Sequence, residues 1–488
     1  MFHISDIKKY NRCDRYFYLN QLAPKPYFPF ATCNESTLEL AKQFLNCTEY
    51  YEGKSGDAGE LVLAQLDHYD TFVAARFTYQ DLRVTIPFLR KQQDGYQVIF
   101  TNNQCFPKES EAAYLAIACW VLKQNGIQVN DVKMIHLAAD YVREETLDVF
   151  KVLMLDDYLY HDKKQTHKTI FEIISEQKLD VDNLLIGMRS ALAEYPEGKQ
   201  RSSVCTHRGK CDYFDRCFNQ EEKPDSVYNL VQSGMKYDLV DAGKTELGML
   251  DGDDIEGTRH QYAQIMAARS ESGLYFDVFA MRDWVKRRIQ YPITYLDFEW
   301  ETYVYPPYQG MKPYDVLVFQ YSMHVENTPG APLLHEQFIG TGDCRVAFIE
   351  DLLAKIPAEG SVMVYNAVGA EMLRLKQLAV QFPQYSERLK AIWERMVDLS
   401  LPFSTGNIYD VRMAGAYSLK KLVEIFTDYD YHDLSISHGM EAVANWRSLQ
   451  ADEINDEIRE QLYEYCGMDT YSMVLVYHMI LDVLKKYE

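Results

Sequence analysis

Residues 295–303 read YLDFEWETY. The aromatic and apolar residues Tyr295, Leu296, Phe298 and Trp300 predict a strand. Strand side chains alternate between faces, so Asp297, Glu299 and Glu301 fall together on one face. Hydrolysis of a phosphodiester by two metal ions requires several carboxylates converging on a pair of divalent cations. Asp297 and Glu299, at i and i+2, supply half of such a set; Glu301 reads as a solvated strand end.

The other half must come from elsewhere. Near the C-terminus, YEYCGMDTYSM places Tyr465 and Asp469 four residues apart on a predicted helix, hence on one face. A strand Asp-x-Glu followed far down the chain by a helical Tyr-x-x-x-Asp resembles the first and third motifs of the DnaQ-like (DEDD) 3′ to 5′ exonucleases, which have a ribonuclease H-like fold. That resemblance implies metal binding by Asp297, Glu299 and Asp469, and a Tyr465 that orients or deprotonates the water. Their second motif, an Asn followed closely by an Asp at a helix start, corresponds to VYNAVGAEMLRLKQLA. Here Asn366 fits and Ala370 stands where the acid is expected, so Glu371, its neighbour, or Asp398 is left to serve.

A chain of 488 residues exceeds one ordinary core and implies two to four domains. Fifty basic against seventy-two acidic residues give a net charge of −22, which argues against indiscriminate binding to phosphate backbones. No apolar run reaches membrane-spanning length, and MFHISDIKKYNRC lacks the layout of a secretory signal. A cytoplasmic location with no membrane partner is expected.

Residues 1–225 read as a small α/β domain. It opens with a helical pattern from Ile7 to Leu22, followed by strands at Leu82–Leu89 and Gly95–Thr101, a helix at Glu109–Gln124 and a strand at Val132–Val142. Residues 226–290 are polar and turn-rich, a connecting region with some helix. Residues 291–488 form a mixed α/β domain, with further strands at Val316–Val325 and Val362–Tyr365 and helices at Ala370–Gln381, Tyr417–Phe426 and from about Asp452 onward, the last with a break near Gly467.

Cys205, Cys211 and Cys217 lie in CTHRGKCDYFDRC, two equal gaps in a polar segment. Three thiols in one short loop suit a metal or a cluster, and Cys13 in SDIKKYNRCDRYFYL is the candidate fourth ligand. Structural zinc, with His207 as a further ligand, and unliganded thiols are the alternatives. The other six cysteines read as core or surface thiols. One early cysteine on a tyrosine-rich helix with three more about two hundred residues later resembles the RecB-like nucleases that carry a [4Fe-4S] cluster, including those of CRISPR adaptation. In those nucleases one strand carries an Asp, the next a Glu-x-Lys and the following helix often a Gln. Here these positions hold Thr85, Phe100, Asn102 and Ala118, so the domain is expected to keep the fold and the cluster without the nuclease chemistry.

The whole pattern, from CTHRGKCDYFDRC through YDLVDAGKTELGML to YCGMDTYSM, resembles a bacterial family that fuses an iron-sulfur RecB-like half to a DnaQ-like half. The resemblance implies a Mg²⁺- or Mn²⁺-dependent 3′ to 5′ exonuclease acting on single-stranded DNA or RNA, or on short oligonucleotides. The alternative is a catalytically inactive binding or scaffold subunit with a protein partner in repair or defence. Lys420 and Lys421 in YSLKKL are read either as phosphate contacts or as a solvated helix face.

Overall fold

The fold is described from a computed structural model covering residues 1–488 except 27–28, 58, 199, 207–208, 219–222, 430, 432–433, 437, 452–454 and 488. His207 and the expected start of the last helix at Asp452 therefore lie outside the described residues. The chain is a mixed α/β protein that divides into two compact units, Met1–Asn219 with Tyr303–Asp315, and Gln220–Thr302 with Val316–Glu488. Among the described residues no helix is long and apolar enough to cross a membrane.

The first unit is built on a six-stranded sheet. Thr71–Tyr79, Leu82–Gln92 and Gly95–Thr101 form an antiparallel meander, the helix Ala112–Gln124 crosses over, and Val129–Leu137 returns parallel to Gly95–Thr101. Phe72, Ala75, Val84, Ile86 and Val98 pack into one core and Val73, Phe88, Ile99 and Ile135 into another, the alternation broken at Ala74, which sits at φ 48°. The expected helix Ile7–Leu22 is instead two, Ile4–Arg12 and Asp14–Leu22, separated by Cys13 in extended conformation. The excursion 303–315, expected in the domain 291–488, belongs to this first unit. Val304 and Tyr305 are buried in its second core, and the Val304 amide donates to the Thr32 carbonyl.

The second unit carries a five-stranded sheet. Its central strand, Ile293–Thr302, pairs antiparallel with Val316–Glu326, which pairs antiparallel with the edge strand Leu334–Ile339; on its other side it runs parallel to Ser361–Val364, itself parallel to Met396–Asp398. Leu296 and Phe298 enter the core beneath the helices Arg345–Lys355 and Glu371–Gln381. Ile293 and Tyr295 face the opposite core, where the C-terminal helix Asp456–Lys485 buries Met473, Val476, Tyr477 and Ile480. Each such buried side chain contributes about 1.5–3 kcal/mol.

The C-terminal helix runs unbroken through Gly467, contrary to the expected break. The glycine serves packing instead: a Cβ there would stand 3.0 Å from Gln337 Nε2 and 3.2 Å from the His335 ring. The segment 226–290 is also more built than its polarity implies. Its helices Arg259–Arg269 and Val278–Arg288 place Ala263, Ala267 and Met281 in the core shared with the C-terminal helix.

Candidate functional site

The central strand and the C-terminal helix meet on the acidic face of the sheet. Two side-chain amides fix the helix: Gln320 Nε2 donates to the Leu462 carbonyl and Gln337 Nε2 to the Tyr463 carbonyl, each at 2.7 Å. Two turns later Thr470 Oγ1 lies 2.8 Å from both Ser322 Oγ and His324 Nδ1. These contacts set the height at which Tyr465, Cys466 and Asp469 stand over the strand.

Asp297, Glu299 and Asp469 converge there. Each offers a carboxylate oxygen, and the three oxygens lie within 4.8 Å of one another, the one such set of three His, Cys, Asp or Glu ligand atoms among the described residues. Asp297 and Asp469 are half-buried, and Glu299 is 9% exposed. Burial raises all three carboxyls above the ordinary range; the charge of Asp469 then adds to the rise at Asp297, and that of Asp297 to the rise at Glu299. Asp469 rises less, to about 6, because the Lys420 ammonium and hydrogen bonds from Tyr431 and Tyr465 oppose burial.

Glu371 opens the helix Glu371–Gln381 and is 1% exposed. Burial, then the charge of Asp297, pushes its carboxyl well up, and its Oε2 has no hydrogen-bond partner. A buried carboxylate oxygen without a donor costs free energy that a cation would recover. Asp398, the other candidate for the second-motif acid, is committed elsewhere: its carboxylate accepts from the backbone amides of Asn366, Ala367 and Ser400 at 2.9–3.0 Å. That clasp holds Asn366 in the left-handed region, φ 65°, and turns the chain into the helix that presents Glu371.

Glu301 departs from the sequence reading. It is 2% exposed rather than solvated, and Arg447 on the helix Gly439–Ala451 donates to its Oε1 from Nε at 2.6 Å. His324 is buried against His335, ring centroids 3.9 Å apart, in keeping with a structural polar role. His438 accepts from the Glu441 amide at 3.2 Å at the start of the helix Gly439–Ala451.

Two neighbours of the triad, Tyr431 and Cys466, escaped the sequence reading, and a third, Lys420, was read there as a phosphate contact or a solvated helix face. Lys420, the second residue of the helix Leu419–Phe426, donates from Nζ to Tyr465 Oη at 3.3 Å, while Lys421 beside it pairs with Glu424. Tyr431 donates to Asp469 Oδ1 at 2.8 Å. Cys466, read from the sequence as an ordinary thiol, donates from Sγ to Asp297 Oδ2 at 3.5 Å. The signal for Cys466 was its place between Tyr465 and Asp469; nothing in the sequence marked Tyr431.

In the first unit, Cys13, Cys205, Cys211 and Cys217 line one cavity of about 210 Å³ together with Arg12, Arg15, Tyr16 and Phe214. None of the four is in a disulfide. The extended Cys13 breaks the N-terminal helix pair, and the following helix is tied to the cysteine loop by Tyr16 Oη donating to Asp212 and Asn20 Nδ2 donating to Tyr213 Oη, each at 3.1 Å. Of the residues at the expected nuclease positions in this unit, Thr85 is exposed on its strand, while Phe100 and Ala118 are core residues.

A family model described as a domain of unknown function (DUF2779) matches residues 294–418. That span takes in Asp297, Glu299 and Glu371 and ends before Lys420, Tyr465 and Asp469. No curated protein and no solved structure matches the chain.

Proposed function

We propose that the second unit is a Mg²⁺- or Mn²⁺-dependent 3′ to 5′ exonuclease that cuts single-stranded nucleic acid or short oligonucleotides. The observation that carries the reading is the convergence of Asp297, Glu299 and Asp469 within 4.8 Å, with the unpartnered Oε2 of Glu371 buried beside them. The sheet supports it: three antiparallel strands, then two parallel to the first, in spatial order third, second, first, fourth, fifth, is the arrangement of a ribonuclease H-like fold. Two divalent cations held by these carboxylates would supply an activated water and charge compensation at the leaving oxygen. Asp297 and Glu299 hold the strand side of the site, Asp469 the helix side, and Glu371 the buried side. Tyr465, hydrogen-bonded to Asp469, would orient the water.

For the first unit we propose a [4Fe-4S] cluster on Cys13, Cys205, Cys211 and Cys217. Four thiols around a cavity of this size suit a four-iron cluster better than a single zinc ion, which needs no cavity. The unit would then guide the strand rather than cut it, since Phe100 and Ala118 pack into its core. An inactive binding or scaffold subunit is the second reading, and the net charge of −22 favours it over a protein that holds long nucleic acid unaided.

The test is incubation of anaerobically purified protein and Mn²⁺ with 5′-labelled single-stranded DNA and RNA. The reading predicts a ladder shortened from the 3′ end that vanishes in Asp297→Asn. Intact strands with both proteins would favour the scaffold.

A further inference from the structure

Lys420 is placed oddly for a surface lysine. Its Nζ lies 4.7 Å from the ring centroids of both Tyr431 and Tyr465 and 3.3 Å from Tyr465 Oη. The two tyrosines that hold it are the two whose hydroxyls bond Asp469. Its charge acts on Asp297, Glu299 and Asp469 alike, in each case against their burial. The neighbouring Lys421, by contrast, turns to Glu424.

Buried carboxylates need a compensating positive charge, and an ammonium cradled by aromatic faces is a compact one. A divalent cation entering the same carboxylates competes with that ammonium, because the two positive charges repel and each weakens the other's hold in a poorly solvated pocket. We infer that Lys420 is the resident counter-ion of the carboxylate site, occupying it electrostatically when no metal is bound and being driven off the triad when divalent cations enter. This rests on the reading of the triad as a metal site, and it makes Lys420 a residue that weakens metal binding while protecting the empty site. Released from the carboxylates, the same ammonium stays at the rim of the site, within reach of a substrate phosphate.

The test is Mn²⁺ titration by calorimetry of the full-length protein, wild type against Lys420→Met and Lys420→Arg, with thermal unfolding in chelator and in saturating Mn²⁺. Lys420→Met is expected to bind Mn²⁺ roughly tenfold tighter than wild type, the direction set by loss of one repelling charge. It should melt lower than wild type in chelator, with the gap closing in Mn²⁺. Lys420→Arg should keep wild-type affinity. Lys420→Gln replaces the methionine variant if that fails to fold. Equal or weaker Mn²⁺ binding by Lys420→Met, with binding abolished in Asp297→Asn, would overturn the counter-ion and leave the metal site standing. No Mn²⁺ binding by wild type would overturn both. A merely structural lysine would lower the melting temperature equally in both buffers.

Discussion

Replacing Glu371 by glutamine should stabilise the metal-free protein and destabilise it relative to wild type once metal is present. Glu371 is 1% exposed, and its Oε2 has no hydrogen-bond partner, so the folded state carries the desolvation cost of an unsatisfied acceptor. Such a group costs about 1–3 kcal/mol, more when charged. Burial and the charge of Asp297 both raise the carboxyl, so the folded state binds the proton more tightly than the unfolded chain. The associated stability is present at low pH and is lost as pH rises above the unfolded value of about 4.3. Glutamine removes the charge without changing the volume, and a neutral amide costs less to bury than a carboxylate. In chelator near pH 8 the variant should therefore gain on the order of 1–3 kcal/mol, a rise in melting temperature of about 2–10 °C for a unit of this size. In Mn²⁺ at a thousand times its dissociation constant the wild type gains about 4.1 kcal/mol by mass action, against none for a variant that no longer binds the ion, so the order reverses. Differential scanning fluorimetry in the two buffers reads both signs. A variant that melts lower than wild type in chelator would refute the reasoning, because it would mean Oε2 is satisfied in the folded protein.

Three further outcomes follow from other sites. His324, buried beside His335, has its imidazole pushed down to about 3, first by burial and then by the neighbouring ring. The unfolded chain thus binds more protons between about pH 6.5 and pH 3, and wild type should lose on the order of 2–3 kcal/mol more than His324→Gln when taken from pH 7 to pH 4, measured by urea unfolding. Arg447→Met removes a cation from Glu301, which is 2% exposed while the Arg447 side chain is 38% exposed, and should cost about 1–3 kcal/mol, most of it recovered by adding Glu301→Gln; no recovery in the double variant would place the loss elsewhere. Cys13→Ser should lose the iron and the brown colour of anaerobically purified protein and lower the melting temperature of the first unit; zinc at unit stoichiometry in wild type would assign the cavity to zinc instead.

What could be read in the sequence was periodic or spaced. Strict alternation in YLDFEWETY put Asp297 and Glu299 on the face that meets the C-terminal helix, and the four-residue step from Tyr465 to Asp469 put both on its inner side. What could not be read depended on partners distant in the chain. Glu301 looked like a solvated end because Arg447 is 146 positions away. Asp398 and Glu371 were indistinguishable until the backbone of Asn366 and Ala367 was seen to occupy the first and leave an oxygen of the second bare. Lys420 and Lys421 are adjacent in sequence, and the turn of the helix alone separates an ammonium in the site from one on the surface. The excursion 303–315 carries the turn signals of an ordinary loop, and its membership of the first unit comes from Val304 and Tyr305 fitting that unit's core. The edge strand Leu334–Ile339, LHEQFI, has too little alternation to stand out.

The most direct test of the central claim is a crystal of the full-length protein grown in Mn²⁺ with anomalous data collected at the manganese edge. The account predicts manganese bound by Asp297, Glu299 and Asp469, with Glu371 Oε2 turned to an ion. Peaks elsewhere, or an empty carboxylate cluster with Lys420 still between Tyr431 and Tyr465 at saturating Mn²⁺, would contradict it.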